Sequence, residues 1–330
     1  MMGLASVSPP AASEVVVIGG GVAGVATAYY LAKAGVPVTL CEKGRIAGEQ
    51  SSRNWGWIRK QGRDPRELPA IILALHLWEE IAAALAEDIG WKRGGVAYLA
   101  ESEAALARFE AWLPHAREHQ LDTRLLSPAE TDALLGQEAR RFKGALFTAS
   151  DARAEPARAV PALARAASAL GASIHESCAV RALEMTAGAV TGVLTERGRV
   201  ACRAVVLAGG AWSALFLRHQ GLELPQLKVK ASVQRTTPGP LISESAVGAT
   251  RAAFRRRQDG GYTIARSGAV TFDITPAALR HFQAFLPALR DRWGDIKLRL
   301  GRPFLEELTT SASWRADRPT PLSCSRCHSR

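Results

Sequence analysis

The stretch from Glu14 to Lys43, EVVVIGGGVAGVATAYYLAKAGVPVTLCEK, constrains this chain more than any other. Val15 to Ile18 is a short β-branched apolar run, which suits a buried strand. Gly19, Gly21 and Gly24 follow as a G-x-G-x-x-G. A helical pattern runs to about Ala34 and Gly35 ends it. Val36 to Cys41 reads as the next strand, with Glu42 at its tip. Gly19 permits a tight turn, Gly21 lets backbone approach a pyrophosphate, and Gly24 lets the helix pack close to the strand. The helix N-terminus turns free N–H groups and partial positive charge toward the phosphates. Glu42 lies about 20 residues further on, where a carboxylate accepts from ribose hydroxyls. A purely structural glycine turn leaves Glu42 unexplained. Residues 15 to 32 carry no charge, yet the glycines punctuate them and the β-branched start suits a strand better than a membrane span.

The 330 residues are enough for one large domain or two smaller ones with ample core. The formal charge is +11 and the pI about 9.9, a balance that suits nucleic acid, an anionic membrane or a basic enzyme. The densest basic run, Arg255-Arg256-Arg257, is short, and only Phe254 and Tyr262 supply aromatics near it. The expectation is arginines spread over an enzyme surface. Met1 to Ser13 lacks both a basic start and an apolar core, so a cytoplasmic location is the default. Cys41, Cys178 and Cys202 sit in apolar strand-like contexts and read as buried thiols, with no disulfide framework.

Beyond Glu42, Gly44 to Asp64 is rich in turn formers and follows the second strand, which places it near a bound dinucleotide. Ser51, Ser52 and Asn54 are candidate donors to phosphate or ribityl oxygens, with helix capping and Asx turns as the plainer reading. A long helix starts around Asp64 and Pro65 and stops at Gly90; Ser102 begins another that is broken or ended near Pro114. His115 and His119 share a helix face but lack the further ligands that a metal needs. Ser127 and Glu130 form a capping box for a short helix that ends at Gly136. An alanine-rich helix from Pro156 to Leu170 precedes a strand meander. Ala204 to Ala208 is then a buried strand that runs into Gly209-Gly210-Ala211-Trp212-Ser213. From Leu222 the texture becomes antiparallel, followed by an amphipathic helix from Pro276 to Arg290.

Together VVVIGGGVAGVATAYYLAKAGVPVTLCEKG, SSRNWGW and AVVLAGGAWS resemble the D-amino-acid oxidase-like flavoproteins, over residues 14 to roughly 318. The resemblance implies an α/β fold (α+β overall): a Rossmann-like FAD-binding domain, discontinuous in sequence, with a second, mainly antiparallel-sheet substrate domain. The expected division is 14–90 and 145–222 for FAD, 91–144 and 223–318 for substrate, and 319–330 as an atypical tail. By resemblance, Gly19, Gly21, Gly24 and Glu42 hold the ADP half of FAD. Ser51, Ser52 and Asn54 lie along the pyrophosphate or near the flavin. Val180 approaches the adenine through its backbone, and Gly209, Gly210 and Trp212 border the cofactor. The implied reaction oxidises the C–N bond of an amino acid or secondary amine by hydride transfer to flavin, with oxygen or a respiratory partner as electron acceptor. Arg318, in a W-x-x-x-R-P pattern, is the candidate arginine fork for a substrate carboxylate, with Arg315 as rival and Tyr262 as a second contact. For Arg318 and Tyr262 the competing assignment is a strand-surface residue.

Family members continue past this point with a glycine-rich strand and a final helix that return to the flavin. This chain stops at Arg330 with PTPLSCSRCHSR, which implies a shortened or frame-shifted end. Two other functions follow as rivals: a truncated, non-catalytic flavoprotein remnant, and an RNA-directed (tRNA-modifying) flavoprotein, since the chain is basic. Cys324, Cys327 and His328 spell the C-x-x-C-H of haem attachment, but no haem domain surrounds them in the sequence.

Overall fold

A computed structural model of the chain describes residues 8–136, 141–267, 270–291 and 296–313. Within it, the N-terminal motif folds as strand β1 (Val15–Ile18), helix α1 (Val22–Lys33) and strand β2 (Val38–Cys41). All four residues of each strand are buried, which is why both read as unbroken apolar runs. β1 pairs in parallel with β2 on one side and with Ala204–Leu207 on the other, Val15 lying opposite Ala204 and Ile18 opposite Leu207. Ser173–His175 extends the sheet beyond β2, so the order is 204–207, β1, β2, 173–175. The nucleotide fold is therefore interrupted after β2 and resumed some 130 residues later in the chain, as its sequence pattern implies. An antiparallel meander, Val180–Thr186, Ala189–Thr195 and Gly198–Ala201, packs an apolar cluster of Val193, Val200, Cys178 and Cys202 with Val16, Ile18 and Cys41 of the sheet.

The described chain divides into two compact units. The first comprises residues 1–52, 160–230 and 270–330, and the second residues 53–159 and 231–269. These boundaries differ from the expected ones. The segment 53–90, assigned to the FAD domain from its sequence, lies in the second unit, and 270–313 lies in the first. The sequence signal for a switch was a change of texture, whereas the actual switches fall inside continuous segments, at Ser52/Arg53 and within the helix Pro156–Ala169.

The first unit also carries a small sheet of Val229–Lys230, Val270–Asp273 and Ile296–Arg299, and the helices Pro276–Arg280, Phe282–Asp291 and Arg302–Ser313. The single helix expected over 276–290 is thus broken at His281. The second unit is built on a seven-stranded sheet in the order 233–235, 262–266, 252–256, 246–248, 96–100, 144–148, 123–126. One face packs Leu99, Val247, Ala145 and Leu126 against Leu135 and Phe142. The helix Pro128–Leu135 that supplies Leu135 has the capping box expected of Ser127 and Glu130, and closes on Gly136 in the left-handed conformation. The helix Glu103–Glu118 starts at the expected Ser102 cap but runs straight through Pro114.

Candidate functional site

The tip of β1 lines a cleft within the first unit. Gly19 has φ of +114°, and a Cβ there meets the Ala208 carbonyl oxygen at 2.4 Å. A Cβ on Gly24 lies 1.9 Å from the Gly19 carbonyl oxygen, so the first turn of α1 sits on β1 with no space for a side chain. Gly21 is different: only the Ser51 hydroxyl comes near, at 3.2 Å, and the bare backbone faces the cleft. Gly21 also precedes α1 without any side-chain cap of its own, leaving the positive end of the helix turned toward the cleft. Ser51 Oγ accepts from Val22 N–H at 2.9 Å.

Glu42 stands at the end of β2, where its carboxylate accepts from Gly20 N–H at 2.6 Å and Gly44 N–H at 2.7 Å. These bonds hold the carboxylate against the cleft wall. Ala179, Val180, Arg181, Gly209, Gly210 and Trp212 also line the cleft. The Trp212 indole donates to both oxygens of Glu49, at 3.1 and 3.0 Å, and its ring lies under the Lys43 ammonium at 4.8 Å. Lys43 is ion-paired to the same Glu49. Lys43, Glu49 and Arg181 are cleft residues that the motifs did not single out. Lys43 directly follows Glu42, which is the one signal that marks it.

The structure thus gathers Gly19, Gly21, Glu42, Ser51, Val180, Gly209, Gly210 and Trp212 around one cleft, with Gly24 packed against Gly19. Ser52 is not among the lining residues; its hydroxyl donates to the Glu49 carbonyl. Asn54 falls in the second unit, where Oδ1 accepts from Gly56 N–H at 2.7 Å in an Asx turn. Tyr262 is buried rather than on a strand surface, and its hydroxyl donates to Pro240 O and accepts from Ile242 N–H. Backbone partners therefore satisfy both functions of that hydroxyl. Arg318, its rival Arg315, and Cys324, Cys327 and His328 lie outside the described residues. Among the described residues no cluster of His, Cys, Asp or Glu is set to hold a metal, and no helix is long and apolar enough to cross a membrane. Cys41, Cys178 and Cys202 are free and buried.

The basic run of residues 255–257 corrects the surface expectation. Arg255 is only 1 % exposed. Its guanidinium grips Glu155 with both terminal nitrogens, at 2.8 and 3.0 Å, and donates through Nε to Trp55 O. Arg257 is also buried, bonded to Asp259 and to two backbone carbonyls. Alternation along the strand turns these two residues inward together, which a count of consecutive arginines does not reveal.

The cleft fits FAD on its own geometry: bare backbone where phosphates approach, a helix N-terminus whose leading residue, Gly21, supplies no side-chain cap, and a carboxylate at the second strand tip. These features define a dinucleotide-binding protein. The chain belongs to the family of FAD-dependent oxidoreductases, whose profile matches residues 14–323. It is 33% identical over 280 residues to glycine oxidase of Pseudomonas putida, covering 80% of this chain and 74% of that protein. Human mitochondrial sarcosine dehydrogenase is 29% identical over 227 residues, and there the match spans about a quarter of the relative's length, 24%. Among solved structures, the L-amino acid deaminase of Proteus myxofaciens in complex with anthranilate superposes with a TM-score of 0.90 at 30% identity, covering 97% of this chain and 73% of that one.

Proposed function

We propose that this chain binds FAD in the cleft and oxidises the C–N bond of an amino acid or a secondary amine. The observation that carries this reading is the convergence of Gly21, Glu42, Ser51, Val180 and Trp212, which come from four separate stretches of sequence, on one cleft. Relatives named for glycine, sarcosine and L-amino acids support the substrate class.

When bound, the flavin supplies the redox chemistry, accepting hydride from the substrate carbon. This chain's residues then do the binding and orienting. Glu42, already held by Gly20 and Gly44, accepts from ribose hydroxyls. The N-terminus of α1 sets its positive end toward the pyrophosphate. Val180 and Arg181 line the cleft in which the nucleotide is held. Oxygen or a respiratory partner takes the electrons, and the reaction takes place in the cytoplasm.

The test is an absorbance spectrum of the purified protein before any cofactor is added. A flavin band near stoichiometric level, bleached anaerobically by an amino acid or secondary amine, is the expected result. A colourless protein that also refuses added FAD defeats this reading and leaves the non-catalytic remnant. Salt-sensitive RNA binding by a flavin-loaded protein that ignores amines favours the RNA-directed rival.

A further inference from the structure

Two of the free cysteines, Cys41 and Cys178, are joined by a hydrogen bond between their thiols. Cys41 ends β2 directly before Glu42 and lines the cleft. Cys178 directly precedes Ala179, Val180 and Arg181, which line it too. Backbone holds the pair together. Cys41 lies opposite His175 in the parallel sheet. Past His175 the chain turns back at Ser177, whose φ of +47° is left-handed and costly for a residue with a side chain. Two bonds to the stretch after β2 fix that turn: Ser177 N–H donates to the Gly44 carbonyl at 2.7 Å, and Cys178 N–H to the Glu42 carbonyl at 2.8 Å. The turn therefore returns Cys178 to the tip of β2, beside Cys41.

The two thiols differ in acidity and in access. The hydrogen bond from Cys41 holds Cys178 below the usual cysteine range against its burial, aided by the Thr195 hydroxyl and the Arg197 charge. The same bond, together with burial, pushes Cys41 up. Cys178 is 0 % exposed and Cys41 1 %, so an oxidant reaches the pair through the cleft that Cys41 lines. Cys202 shares their apolar cluster, but it is not among the lining residues and burial pushes its thiol up. It serves as the internal control.

We infer that Cys41 and Cys178 are a modification site, a thiol pair that a hydroperoxide oxidises to a disulfide in the cofactor-free chain, which weakens dinucleotide binding in the cleft. The effect on binding rests on the FAD reading above; the cross-link itself does not. Cys41 passes its proton along the hydrogen bond to the Cys178 thiolate, and its sulfur takes one oxygen from hydrogen peroxide. The O–O bond breaks, and the departing hydroxide takes the proton from Cys178 and leaves as water. Cys178 then attacks the Cys41 sulfenic acid, the S–O bond breaks, and a second water leaves. Two thiols are oxidised and one peroxide is reduced. The new bond draws the sulfurs closer than a hydrogen bond does, and with them Glu42 and the stretch that leads to Val180. A dinucleotide held in the cleft covers Cys41, so each event opposes the other.

The test treats the full chain, with and without FAD, with hydrogen peroxide, then alkylates remaining thiols under denaturing conditions and maps the peptides by mass. In the cofactor-free protein a Cys41–Cys178 cross-link is expected, two hydrogens lighter than the separate thiols, with Cys202 alkylated. Excess FAD suppresses it. Flavin-fluorescence titration should show FAD affinity about tenfold weaker after oxidation, a coupling of ordinary size, and restored by dithiothreitol. Cys178→Ala should bind FAD as the reduced wild type does, before and after peroxide. Should that variant fail to fold, the wild-type peptide map and the dithiothreitol reversal decide. Cys41 and Cys178 both alkylated after peroxide, with cross-links confined to Cys324 and Cys327, overturns the assignment. So does a cross-linked protein whose FAD affinity equals that of the reduced form. A reduced protein that refuses FAD yet forms the Cys41–Cys178 bond defeats the cofactor reading and keeps the modification site.

Discussion

The cleft at the tip of β1 is built from backbone, whereas the charged interior of the second unit is built from side chains far apart in sequence. At the cleft the essential features are missing side chains: Gly19, Gly21 and Gly24 within six residues, and a carboxylate a strand away. In the second unit Arg255 meets Glu155 a hundred residues earlier, and Lys60 meets Asp151 ninety-one residues later. The first arrangement tolerates almost no added atom. The second tolerates little change of charge. Substitutions that add atoms and substitutions that remove charge therefore test the two regions separately.

The largest effect is expected at the buried pair. Glu155→Ala leaves the Arg255 guanidinium in the interior without its counter-charge and without two hydrogen bonds, at a cost of about 3–5 kcal/mol. Replacing both partners by apolar residues of similar volume, Glu155→Leu with Arg255→Met, restores most of that loss. Urea unfolding of the wild-type protein and the two variants reads it. A single variant as stable as wild type breaks the comparison, because the arginine would then have other means of neutralisation.

Next comes Gly24→Ala. One methyl group placed 1.9 Å from the Gly19 carbonyl must push α1 off β1, with an expected loss of about 3 kcal/mol. The effect should fall on the first unit, so FAD uptake fails while the second unit stays folded, as limited proteolysis reads. Loss of both together would mean that the two regions do not respond independently.

Asp151 provides a third, pH-dependent contrast. Burial pushes its carboxyl up to about 6, outweighing the lowering effect of the Lys60 and Gln61 N–H groups and the Lys60 ammonium. The native state then keeps a proton that the unfolded chain has already released near the usual carboxylate value. The associated stability is fully present below about pH 4 and is lost as pH rises through about 6, a change on the order of 2–3 kcal/mol. Measured against Asp151→Asn, which cannot titrate, wild-type protein should gain stability as pH is lowered from 7 to 5. Glu42, at the cleft, is more accessible to water, so Glu42→Gln should leave that gain intact.

The contrast also explains what the sequence disclosed. The Rossmann-like half was legible because its determinants are local: a β-branched run, glycines at fixed spacing, and Glu42 at a strand tip. Even its resumption at Ala204 was legible, since a buried parallel strand announces itself as AVVLA. Asn54 shows the plainer of its two readings, an Asx turn, which uses the same residue types as a phosphate loop, and the segment boundary at Ser52 leaves no compositional trace. Arg255 and Arg257 read as surface charge because burial of an arginine depends on a distant carboxylate, not on its neighbours.

The smallest effect sharpens the comparison most, because it concerns a side chain doing backbone work. Helix α1 has no cap from Gly21, and Ser51, 29 residues away from Val22, supplies the missing acceptor. Ser51→Ala should therefore destabilise the cofactor-free protein by about 1 kcal/mol, the usual loss for a helix cap. A bound pyrophosphate offers oxygen acceptors to the same helix end, so the loss should shrink when FAD is in excess. Thermal unfolding of wild-type and variant protein, with and without FAD, measures both terms. A loss of equal size in both conditions would show that the cofactor does not touch the N-terminus of α1, and the cleft would then be a nucleotide site in outline only.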